Sequence, residues 1–194
     1  MKTHPIIDFN ITPVKKIITY LIICMLITTH SYGQVYMTRT GYASFSSKAS
    51  MENIKAENKQ LLAVINIEKK ELAFMVLMKG FEFKKELMQT HFNENYVESD
   101  KYPKASFNGT YTGDVDSKKG TPTTVNVRGS FTLHGVTKEI EVTATLQLLN
   151  GTLNGSAIFK ASPEDYNITI PNLVRNNIAK EVEVEVKVNC NLKN

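Results

Sequence analysis

Glu181-Val182-Glu183-Val184-Glu185-Val186-Lys187-Val188-Asn189 decides the fold. Every even position is valine and every odd position is polar. A period of two in β-branched residues describes a strand with one wet face and one buried face. The same beat runs upstream. Ile140, Val142, Ala144, Leu146 and Leu148 alternate with polar residues, as do Val125, Val127, Gly129, Phe131 and Leu133. Ala105, Phe107, Gly109 and Tyr111 form a further run, and Leu153, Gly155, Ala157 and Phe159 another, in which Ile158 is an apolar exception on the outer face.

The punctuation between these runs is that of hairpins. Asn150-Gly151 is a favoured two-residue turn, His134-Gly135 divides 123–133 from 137–149, and residues 66–70 divide 57–66 from 71–79. With 36–48 this makes eight strands. Leu72 to Met78 is apolar on both faces, so a cover over its outside is expected. The one helical stretch, 83–92, with Phe83, Leu87, Met88 and His91 at helical spacing, is the predicted cover. Eight antiparallel strands in meander order with one apolar face most economically close into a barrel, which removes sheet edges. The predicted fold is therefore all-β, an eight-stranded antiparallel lipocalin-like barrel with one or two short helices. A two-sheet sandwich shares these local signals.

The first 33 residues read as an address. Lys15 and Lys16 precede the apolar run 17–27, and Ser31 and Gly33 stand at the −3 and −1 positions of a cleavage site. About 11 apolar residues are too few for a bilayer core, which takes about 20. A signal peptide over 1–33, cleaved before Gln34, is expected, with a barrel domain over 34–194 in the periplasm or secreted. No membrane span would remain after cleavage. Ile23 before Cys24 is not the small residue that lipidation needs.

The chain has 23 basic and 19 acidic residues, a net +4 that becomes +2 without the signal. So weak a balance gives no case for a nucleic-acid partner. Cys190 is then the only cysteine, which excludes an internal disulfide and places a small hydrophobe on the inner face. His91 and His134 lie far apart, without a metal-ligand spacing, a phosphate loop or a nucleophile elbow nearby. No catalytic residue, metal or cofactor is predicted, and His134 reads as a turn residue.

The predicted inner face carries no charge. Phe and aliphatic residues are interspersed with Gly109, Gly129, Gly155, Ala105, Ala144 and Ala157. An eight-stranded barrel is just wide enough to be filled by side chains or to hold one small ligand. Alternation alone leaves both outcomes open.

Three stretches then carry a resemblance. The run 91–107, His-Phe-Asn-Glu-Asn-Tyr through Tyr102-Pro103-Lys104-Ala105-Ser106-Phe107, resembles the segment before the central strand of the YceI-like lipid/polyisoprenoid-binding family. Gly129-Ser130-Phe131-Thr132-Leu133-His134-Gly135-Val136-Thr137-Lys138 is similar to its hairpin. Asp165-Tyr166-Asn167-Ile168 with 178–182 resembles its closing strand. Thr40-Gly41-Tyr42-Ala43-Ser44-Phe45 departs from the family's Asp-x-x-His-Ser opening, and 79–83 lacks its Ser-x-Asp-Thr.

The resemblance implies an exported barrel holding a long-chain lipid or isoprenoid without catalysis. Phe45, Phe74, Val76, Met78, Phe107, Phe131, Ala144 and Phe159 are the expected tunnel lining. His91, Tyr96 and Tyr102 are expected at its mouth. A solid barrel serving structure or surface interaction remains an alternative, as does an enzyme acting on bound lipid. Oligomeric state is not readable.

Overall fold

The computed structural model describes residues 34–48, 53–115 and 120–193. The expected signal peptide, including Cys24, and Lys118-Lys119 lie outside the described residues. The strands are β1 (Val35–Lys48), β2 (Asn53–Asn66), β3 (Glu71–Leu77), the short β4 (Glu82–Phe83), β5 (Lys104–Thr112), β6 (Thr123–Leu133), β7 (Val136–Leu149), β8 (Thr152–Ala161) and β9 (Val182–Leu192). All pairs are antiparallel. The order β1-β9-β8-β7-β6-β5-β3-β2 returns to β1, so eight strands form a closed barrel, with β4 paired to part of β2. Closure is what rules out the sandwich.

Two-residue turns set the register where their chemistry demands it. His134-Gly135 and Asn150-Gly151 all have positive φ (51°, 74°, 51° and 78°), the geometry that suits a right-twisted hairpin. β7 is thereby locked in register between β6 and β8.

The two ends of the barrel differ. At the end holding the 67–70 and 150–151 turns, Tyr36, Ile65, Tyr111, Val125, Leu153 and Cys190 pack together and are at most 4% exposed. Burial pushes the Cys190 thiol up to about 11, so it stays protonated at neutral pH. The other end carries a helix, α1 (Glu86–His91), which runs into a wider turn over Phe92–Tyr96, and a long strap between β8 and β9.

The helical segment departs from its expected bounds and place. Phe83 is drawn into β4, opposite Ala56, because its ring joins a cluster with Phe45 and Phe92 at centroid distances of 5.8 and 5.1 Å. The helix therefore begins at Glu86. It does not seal the outside of β3, where Leu77 is 49% exposed; it lies across the barrel's open end instead.

Two of the small residues predicted on the inner face play a packing role. Gly109 and Gly129 are cross-strand partners on β5 and β6. A Cβ on Gly129 would lie 2.3 Å from the Asn108 carbonyl oxygen, and one on Gly109 2.4 Å from that of Arg128. Their missing side chains let two backbones approach; they do not hollow the interior. Gly129→Ala should destabilise the fold by ~1–3 kcal/mol through overpacking, measured as a lowered urea midpoint. An unchanged midpoint would show that the strands can move apart freely.

Candidate functional site

The open end holds a cavity of about 520 Å3. Its shape follows from side-chain size on the two halves of the wall. On one half, Ala43, Val186, Ala157 and Ala144 pair in sequence across β1, β9, β8 and β7, a row of small side chains at one level. On the other half, Phe74, Phe107 and Phe131 pair across β3, β5 and β6. Small residues facing aromatic ones leave room that the rings do not fill. Ile65, Leu72, Leu146 and Val188 line its deep part, toward the packed end.

All eight residues expected along the tunnel (Phe45, Phe74, Val76, Met78, Phe107, Phe131, Ala144 and Phe159) line this cavity. His91 and Tyr96 line it as well. Burial raises the Tyr96 hydroxyl pKa, so it remains a neutral donor. Tyr102 is not in the lining. Its ring packs edge-on against His134 at a centroid distance of 4.3 Å and covers Gly135, which holds it away from the cavity.

Several lining residues were not readable in the sequence. Lys85 and Leu87 stand at the rim, Leu87 at 66% exposure. Among the described residues Lys85 is the only charged side chain in the lining. The strap contributes Ile168, Ile170, Val174 and Ile178. The only signals for these were the short Ile-Thr-Ile alternation and an i, i+4 spacing, both within a stretch that forms no strand.

The strap is tied down at both ends. The Ala179 amide donates to Ser47 Oγ (2.7 Å), and that serine is 2% exposed. At the other end, His134 Nδ1 lies 3.0 Å from the Tyr166 carbonyl oxygen, which can only accept, so Nδ1–H donates. Nε2 lies 2.8 Å from Glu98 Oε2. The turn residue expected at 134 is thus also a buried junction of three segments. Among the described residues no group of three His, Cys, Asp or Glu side chains could hold a metal ion, and no helix is long and apolar enough to cross a membrane.

Residues 26–190 match the YceI-like domain. The chain belongs to the YceI-like family. Among solved structures, a polyisoprenoid-binding domain from Saccharophagus degradans implicated in plant cell wall breakdown superposes with a TM-score of 0.70 at 15% identity, over 83% of this chain and 99% of that one. BcnA from Burkholderia cenocepacia gives 0.65 at 14%, over 76% and 94%. The YCEI protein of Campylobacter jejuni gives 0.62 at 17%, over 76% and 90%. At such identities the likeness is one of fold. No curated protein matches the chain in sequence.

His134 is not itself in the cavity lining, so the folding cost of losing it can be read apart from any direct ligand contact. His134→Ala leaves the Tyr166 carbonyl and Glu98 without their partner and should cost ~1–3 kcal/mol of stability. Thermal unfolding will read this loss, and apolar-probe binding below the transition should stay within twofold of wild type.

Proposed function

We propose that this chain is an exported carrier that holds one long apolar chain, acyl or isoprenoid, non-covalently in its barrel. The observation that carries the reading is the cavity itself, bounded by a row of small residues on one side and a row of phenylalanines on the other. A dry apolar cavity of about 150 Å3 accepts a six-carbon ring, or roughly 25 Å3 per carbon. About 520 Å3 therefore accommodates roughly 20 carbons. Each buried methylene contributes ~0.8 kcal/mol, partly offset by ordering of the ligand. Micromolar or tighter binding then needs no strong polar contact.

Specificity for one end of the ligand would come from the rim. The Lys85 ammonium complements a carboxylate or phosphate, and His91 and Tyr96 add polar groups to the same lining. The S. degradans domain, described as polyisoprenoid-binding, supports the isoprenoid branch of this reading. Export rests on Lys15-Lys16, the apolar run 17–27 and Ser31-x-Gly33. An intact mass starting at Gln34, for protein recovered from outside the cytoplasm, is the expected mature form.

A saturated fatty-acid series from C10 to C24 tests the reading, through displacement of N-phenyl-1-naphthylamine. Affinity should climb with length up to C18–C20. Ala157→Leu, which narrows the row of small residues, should move the point of steepest gain toward shorter chains by two to four carbons. A flat series, or no probe binding at all, would remove the lipid reading.

A further inference from the structure

The ladder between β7 and β8 stops half-way. Pairing runs from Leu149↔Thr152 to Ala144↔Ala157 and ends there. Toward the open end, residues 136–143 of β7 remain paired with β6, and residues 158–161 of β8 remain paired with β9. The two strands thus stay in the wall while parting from each other. Among the described residues no hydrogen bond joins 136–143 to 158–161. The β2–β3 ladder also ends early, at Leu62↔Met75, but that gap is stitched. Asn58 Nδ2 donates to the Leu77 carbonyl (3.0 Å), and β4 pairs with β2 beyond it.

The β7–β8 gap forms a cleft between Ile140, Glu141, Val142 and Thr143 on one strand and Ile158, Phe159 and Lys160 on the other. Ile140, Val142 and Phe159 also line the main cavity, so the same side chains face both spaces. Ile158, the outer-face exception in the alternation, stands at the outside of this cleft at 58% exposure. The inward side chains of β7 are buried from Ala144 onward and only half-buried before it, which places the change where the ladder ends.

We propose that this seam is a second opening of the cavity, through which the far end of a long chain leaves the barrel. The inference rests on the lipid-binding reading and deepens it, since the ligand class becomes chains longer than the lumen. The strand order supports a through-route. The seam between β7 and β8 lies half-way round the barrel from β2, which carries β4 ahead of the Lys85 rim. A headgroup at the rim then directs its tail across the lumen toward the seam. The open strand edges invite a second occupant, an added β-strand, but Glu139, Glu141 and Lys160 place charges beside them, a device that discourages strand addition. An alkyl chain needs no backbone partner and would lie along Ile158 and Phe159, between Glu141 and Lys160.

Competition in native mass spectrometry between geranylgeranyl (C20) and octaprenyl (C40) monophosphate tests the seam. Wild-type protein should take the two within about threefold of each other. Ile158→Glu alters an exposed position and should leave C20 binding intact while lowering C40 occupancy at least tenfold. A Thr143→Cys/Ile158→Cys pair, with its cross-link verified by mass, should do the same, and reduction should restore C40. Exclusion of C40 by the wild type, or undiminished C40 binding in Ile158→Glu, would overturn the seam while leaving the C20 carrier standing. Failure of both lipids to bind would instead remove the lipid reading, and the seam with it.

Discussion

An eight-stranded barrel has room for little more than the side chains that its own strands point inward. Everything else in this molecule depends on how that room is spent, level by level. At the closed end, Tyr36, Ile65, Tyr111, Val125, Leu153 and Cys190 fill it, and the barrel is as solid as any core. At the next level, Ala43, Ala157 and Ala144, with Val186 among them, face a row of phenylalanines, and the interior opens. Hydrophobic burial at one end holds the fold while its incompleteness at the other makes a binding space. The phenylalanines of that row, Phe74, Phe107 and Phe131, are themselves only partly buried.

The open end is held in shape by polar contacts, because apolar packing there is interrupted. Buried Asn58 stitches β2 to the end of β3, with its side-chain oxygen accepting from the Gln60 amide at 2.7 Å. Ser47 and His134 fasten the strap. These groups have their hydrogen bonds met inside the protein, which is the condition for placing polar atoms out of water without a penalty. The β7–β8 seam is where no such stitch has been supplied, and the half-exposed lining of β7 follows from that.

Much of the barrel was legible from period alone, since each strand has one wet face and one dry one, and parity then assigns the side chains. The eight residues expected along the tunnel line the cavity, but 72–78 is apolar on both faces, so parity alone did not single out Phe74, Val76 and Met78. It could not say how far apart neighbouring strands lie, so it left open the role of Gly109 and Gly129, which mark backbone contact. The helix start was misplaced because Phe83 answers to Phe45, far away in sequence. Tyr102 read as a mouth residue because its partner, the His134 ring, could not be seen from the chain. His134 declared itself as a turn residue through its neighbour Gly135, but its partners Tyr166 and Glu98 lie 32 and 36 positions off. The strap's lining residues follow no strand period. Ile158, an irregularity that the pattern displayed openly, sits where the β7–β8 ladder has ended.

The central claim is that the open half of the barrel is a space built for an apolar chain. A crystal structure of the protein, purified without detergent, tests it most directly. Continuous, elongated density is expected between the Phe107 ring and the Ala144–Ala157 pair, reaching toward the Lys85 rim. An interior closed by rotated phenylalanine side chains, with no continuous density between the two walls, would contradict it.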